Sequence, residues 1–186
     1  PCPRPPAAPA GGPRRRQDAE PPARDKGKAA QALAEDVLED AGFKVTARRS
    51  RVRGTGVAVD FTAVDAEGAE WHFDVSGAHT THRGGMLRTD VVFRSIGRCQ
   101  ALAGRGVRPV VLLTTHLAKH PSAGDSALRS AGPGTVFDVV GIEDGEDLAR
   151  LRRYAAGGHA DRPLAGFWAR RDLDRLGPGH RSPPAP

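Results

Sequence analysis

The chain has 186 residues, with 23 Gly, 16 Pro, two Cys and a formal net charge of +6. No apolar run approaches the roughly 18 residues of a membrane span, so a helical membrane protein is excluded on the sequence. Cys2 and Cys99 are too far apart and too few for a disulfide framework or a zinc ribbon, and a reducing, cytoplasmic compartment is expected. The chain opens on Pro1 with no charged-then-apolar leader, which reads as no secretory signal and leaves open that the chain is a fragment of a longer product.

The charge is unevenly spread. Residues 1–28 carry seven Lys/Arg against three Asp/Glu, residues 29–157 carry sixteen of each, and residues 158–186 carry five against three. The basic excess therefore lies at the two ends. Only four of the 28 basic residues are Lys, an Arg bias that a GC-rich genome produces without selection for a polyanionic partner. Net charge alone does not single one out.

Residues 1–26 are Pro/Ala/Arg-rich with no apolar period, and residues 177–186 read alike. Both are expected to be disordered tails or linkers. Between them, residues 28–41 place Ala30, Leu33, Ala34, Val37, Leu38 and Ala41 on one helical stripe, and Gly42 stops it. A strand is expected at 43–48. Residues 57–64 and 70–76 alternate, with Val57, Val59, Phe61, Ala63 and Trp71, Phe73, Val75 on one side. They predict two strands, each with one buried face. Residues 66–68, ending in Gly68, predict a three-residue hairpin loop.

A helix is predicted over 86–104. The unbroken apolar run at 109–115 predicts a strand covered on both faces. A short helix near 123–130, a strand at 135–142 and a helix at about 146–156 follow, ending at Gly157-Gly158. Residues 163–176 predict a short amphipathic helix. The whole is a mixed sheet with helices packed on it. The domain is expected at 27–157, with 158–186 as an extension.

The hairpin carries the chemistry. In its predicted register Asp60 and Asp74 face each other on the polar side, where opposed residues have Cα atoms ~4.5–5.5 Å apart. Two carboxylates so placed share a cation or repel each other. Oxygen-only ligation suits Mg²⁺, Mn²⁺ or Ca²⁺ rather than zinc. A one-residue slip would separate the pair.

With Asp60 on one strand and Phe73-Asp74-Val75-Ser76 on the next, the chain resembles the PD-(D/E)XK nuclease superfamily over roughly residues 27–115. FDVSGAHTTHRGGMLRTDVVFRSIGR is similar to domains of restriction–modification systems in high-GC bacteria. The resemblance implies a restriction-endonuclease-like αβββαβ sandwich with a mixed central sheet flanked by helices. It implies Asp60 and Asp74 as ligands of Mg²⁺ or Mn²⁺, with Ser76 and Gln31 as further catalytic positions. The cation would polarise a phosphodiester and acidify its bound water. Two departures stand out. Ser76 replaces the triplet lysine, and Gln31 replaces the acidic residue of the first helix, with Glu35 one turn on.

Arg48, Arg49, Arg51 and Arg53 precede the hairpin and suit phosphates or a charge-protected edge strand. Arg94 and Arg98 share a helix face that borders the cleft in the resembled family. The segment from Ser76 to Gly85, with Thr80, His82 and Arg83, precedes a helix N-terminus, and Arg88 opens that helix. These hydroxyl, imidazole and basic groups are candidate substrate contacts. His79-x2-His82 and His116-x3-His120 lack the partners of a zinc site. The acidic residues at 138–147 read as a loop and a helix N-terminus. Three readings stand: a metal-dependent nuclease on DNA, a catalytically degenerate DNA- or protein-binding module of a larger restriction or methyltransferase protein, and a protein-interaction domain. A homodimer or a restriction–modification assembly would suit the first two.

Overall fold

The computed structural model describes residues 23–76, 84–174 and 176. The predicted tail 177–186 and residues 1–22 of the predicted tail 1–26 lie outside these, and residues 23–26 are helical instead. The elements follow as α1 (Ala23–Ala41), β1 (Lys44–Arg51), β2 (Ala58–Val64), β3 (Glu70–Val75), a 3₁₀ turn (Gly85–Leu87), α2 (Thr89–Ala103), β4 (Val110–Thr114), α3 (Ala123–Ala131), β5 (Asp138–Gly141), α4 (Gly145–Ala155) and α5 (Arg170–Asp174). One five-stranded sheet runs in the order β1-β2-β3-β4-β5. The β1-β2 and β2-β3 pairs are antiparallel, and β3-β4 and β4-β5 are parallel. The chain is a mixed α/β structure with a mixed sheet flanked by helices, as expected. Among the described residues no helix is long and apolar enough to cross a membrane.

Helix α1 starts at Ala23 rather than 28. No proline follows Pro22 until Pro109, so no ring interrupts the added turn, and Ala23, Arg24 and Lys26 favour it although Gly27 does not. It ends at Gly42, whose φ of 104° lets the Phe43 amide bond the Leu38 carbonyl and the Gly42 amide the Glu39 carbonyl.

Two cores sandwich the sheet. On one face Ala34 and Leu38 of α1 meet Phe61, Trp71, Phe73, Val111, Leu113, Leu151 and Tyr154. On the other, Val92, Cys99 and Leu102 of α2 and Leu128 of α3 meet Val59, Val110, Leu112 and Val139. β4 is buried at every position, as its continuous apolar run predicts. The hairpin departs from expectation. Asp60, Thr62, His72, Asp74 and Ser76 are all buried, so β2 and β3 have two covered faces instead of one. The polar positions escape notice as interior because burying a hydrogen-bonding group is costly unless partners elsewhere in the chain meet it, and sequence alternation does not show such partners.

The segment predicted as a helix over 163–176 is helical only at Arg170–Asp174. Pro163 and Gly166 break it. It docks through Trp168, which is 1% exposed and donates from Nε1 to the Phe137 carbonyl at 2.9 Å. The acidic run also divides. Asp144 caps α4 through the Glu146 and Asp147 amides, as predicted. Asp138 instead is fully buried and accepts from Arg150 Nε at 2.7 Å and Tyr154 Oη at 2.8 Å, tying β5 to α4.

Candidate functional site

The hairpin register is the predicted one as far as it runs: Val64 pairs with Glu70, Ala63 with Trp71, Thr62 with His72 and Phe61 with Phe73. The turn is shaped by Asp65. Its Oδ1 accepts the Glu67 and Ala69 amides and its Oδ2 the Trp71 Nε1 at 2.9 Å. Gly68 takes a φ of 83°, the left-handed conformation a three-residue loop requires.

One step beyond Phe61 the ladder breaks. In an unbroken ladder the Val75 amide would reach the Val59 carbonyl. It donates instead to Asp60 Oδ2 at 2.9 Å. Val59 and Phe61, which simple alternation puts on one face, pack into opposite cores. Asp60 sits at this change of face. Its Oδ1 accepts from Gln31 Nε2 of α1 at 3.0 Å, so Gln31 engages the carboxylate as a donor.

Asp74 meets α2. Arg98 Nε lies 3.1 Å from each carboxylate oxygen, its Nη2 bonds the same carboxylate, and Nη2 also donates to the Ala58 carbonyl at 2.7 Å. Burial pushes the Asp74 carboxyl above its ordinary range, Arg98 opposes this, and the nearby Asp60 carboxylate adds to it. Arg98 is held more firmly protonated by the bond to Asp74, with Asp60 contributing through space. The guanidinium thus lies in the field of both carboxylates.

Ser76 is buried, its hydroxyl 2.9 Å from that of Ser95 on α2, and is held inward. Arg98, predicted as a phosphate contact, is an internal partner. The signal was present: Val91, Ser95, Arg98 and Leu102 are spaced as one helical stripe, continuous with the buried face of α2. Glu35 is engaged by Arg48, which draws its carboxyl below the ordinary range. Arg51, Arg53, Arg88 and Arg94 are exposed, and Arg88 pairs with Asp90. Arg49 holds a positive φ of 52° in the edge strand. The Arg105 guanidinium lies against Gly54 in the turn after β1. Thr80, His79, His82 and Arg83 lie outside the described residues. His120 bonds Asp125 through Nδ1 at 2.6 Å, and Asp125 also holds Arg129.

The donor set does not suit a divalent cation. Asp74 faces a guanidinium with both oxygens, and both Asp60 oxygens accept protein donors. Among the described residues no three His, Cys, Asp or Glu side chains are grouped to hold a metal ion. Arg98 already supplies one positive charge at Asp74, where Mg²⁺ or Mn²⁺ would bring two, and displacing it would expel a hydrogen-bonded cation from a largely dry site.

No family model matches the chain, and no curated protein matches it. Among solved structures it is similar to a repair endonuclease from Pyrococcus abyssi, at 17% identity and a TM-score of 0.36, over 61% of this chain and 45% of that chain. The likeness thus spans less than half of that protein, and at this score it carries no argument about activity.

Proposed function

We propose that the chain is a restriction-endonuclease-like domain that binds nucleic acid and does not cleave it. One observation carries the proposal: Arg98 lies on Asp74 and in the field of Asp60, where the resembled nucleases would place a metal ion. Ser76 at the lysine position, tied to Ser95, agrees with it. A buried serine hydroxyl cannot supply the positive charge that the chemistry needs beside the reacting phosphate. Binding is supported by the exposed Arg51, Arg53, Arg88 and Arg94, since each guanidinium that meets a phosphate releases counterions.

The test is a mobility shift on duplex and single-stranded DNA from about 50 to about 200 mM salt, beside a plasmid-nicking assay in Mg²⁺ and Mn²⁺. The expected result is binding that weakens with salt, a salt slope shallower by about one for each of Arg51→Ser and Arg53→Ser, and no nicking. Metal-dependent nicking abolished by Asp74→Asn would establish the catalytic reading instead. Absence of binding at every salt concentration would leave a protein-interaction domain.

A further inference from the structure

Helix α2 and the loop after it run beside the turn between β1 and β2. Arg98 Nη2 donates to the Ala58 carbonyl at 2.7 Å, and Ala58 pairs with Arg51 across the β1-β2 ladder. Further along, the Arg105 guanidinium lies against Gly54 in the turn itself. Arg94 is one helical turn before Arg98 and shares its side of α2. These contacts gather the exposed Arg51, Arg53, Arg94 and Arg105 into one region of the surface.

Phe93 adjoins this region and is 57% exposed. Every other Phe, Tyr or Trp ring among the described residues is buried or half-buried. A single apolar side chain in water is ordinary; the surroundings of this one are not. Gly97 is one turn on from Phe93 (i, i+4) and from Arg94 (i, i+3). It is exposed, and a Cβ built there would meet nothing within 4 Å. A side chain would therefore fit, yet the helix carries the residue that weakens it most after proline. The result is a bare strip of backbone between an aromatic ring and a guanidinium. Asp90, one turn before both, is the acidic group of this face, and Arg88 meets it at 2.9 Å from Nε and 3.2 Å from Nη2.

A phosphate backbone answers the arginines, but it gives the ring nothing to cover it. A strand with unpaired bases answers both: its phosphates meet guanidinium groups and its bases offer flat faces for stacking. Bases inside a duplex are stacked on both sides and cannot reach the ring. We propose that the nucleic acid this chain binds is single-stranded, that an unpaired base stacks on Phe93 over Gly97, and that the phosphates run past Arg94 toward Arg51, Arg53 and Arg105. The proposal rests on the nucleic-acid reading above and adds to it the strand state and the stacking residue. Because every base has an aromatic face, the contact selects unpaired strands and not a sequence.

The test uses the full chain and a labelled oligothymidine of about 12 nucleotides, free or paired with its complement, with binding read by fluorescence anisotropy at one salt concentration. The single strand is expected to bind more tightly than the duplex. Phe93→Ala is expected to weaken single-strand binding about tenfold and to leave duplex binding unchanged, while Phe93→Trp retains both. Gly97→Val places a side chain on the bare strip without a clash and is expected to weaken single-strand binding several-fold. The indole introduced by Phe93→Trp reports stacking directly: its emission is expected to be quenched by the single strand and not by the duplex or by inorganic phosphate. Trp71 and Trp168, at 0% and 1% exposure, are out of a strand's reach. Circular dichroism confirms that each variant is folded.

Binding of both DNA forms that Phe93→Ala leaves unaltered, or tighter binding of the duplex, overturns the proposal and leaves the nucleic-acid reading standing. Equal weakening of both forms by Phe93→Ala overturns it as well, since the ring would then not act on an unpaired base. Loss of single-strand binding together with a halved mass in sedimentation would make Phe93 a contact between two copies of the chain and overturn the stacking. Absence of binding to either form overturns both the proposal and the reading beneath it.

Discussion

At the scale of single residues, the buried polar groups of the hairpin behave in opposite ways. Asp74 and Asp60 are met by donors from three elements, whereas His72 leaves its buried Nδ1 unmet. His72 also gives the fold a pH dependence of definite sign. Its folded pKa lies below the ordinary 6.5, because burial disfavours the imidazolium more than Glu70 favours it. Between the two values the unfolded chain binds a proton that the folded chain does not. The contribution is therefore present above 6.5 and lost as pH falls through that window. Asp74, whose carboxyl is raised, acts in the opposite sense, since the folded state takes up the proton first. Comparison with a variant isolates His72: the melting midpoint is expected to drop less in His72→Gln than in the wild type between about pH 7 and about pH 5. Equal drops would show that the histidine is solvated in the folded state.

At the scale of elements, the hairpin and α2 are joined by a buried ion pair whose two halves are unequal. Asp74 is almost fully buried and Arg98 less so, with side-chain exposures of 4% and 29%. Removing the arginine strands a carboxylate, so Arg98→Ala is expected to cost about 3 kcal/mol in urea denaturation at neutral pH. The deficit is expected to narrow as pH falls and Asp74 protonates, and adding Asp74→Asn should recover much of it. A deficit that is flat with pH would mean that Arg98 acts through packing alone.

The same elements show how far the site was legible. The register of β2 and β3 followed from alternation and from Gly68 in the loop, both local properties. The break at Asp60 did not, because it depends on competition between a backbone carbonyl and a carboxylate that Gln31 of α1 holds in place. The role of Arg98 was partly legible, since its spacing from Val91, Ser95 and Leu102 marks the buried stripe of α2. Its partner was not, because only the packing angle of α2 on the sheet decides which strand residue it meets. His72 escaped notice as a single polar residue in a strand pattern.

At the scale of the whole molecule, the segment after α4 closes the α2-side core. Trp168 reaches it from an irregular stretch, while Phe167 packs under the Arg129 guanidinium 4.8 Å from its ring centre. Trp168→Ala is expected to cost about 3–5 kcal/mol in urea denaturation, more than an appendage could. A loss below about 1 kcal/mol would show that the segment is dispensable. Residue order alone determined most of the element sequence, the sandwich class and the hairpin pairing, because periodicity and turn chemistry act between near neighbours in the chain. Tertiary structure alone decided that the polar face of the hairpin is interior, that a guanidinium pairs with Asp74 beside Asp60, and that a cleft remains over β1–β3. Each of these depends on which distant side chains reach a buried polar group, and desolvation makes that choice matter energetically while leaving no periodic trace in the sequence.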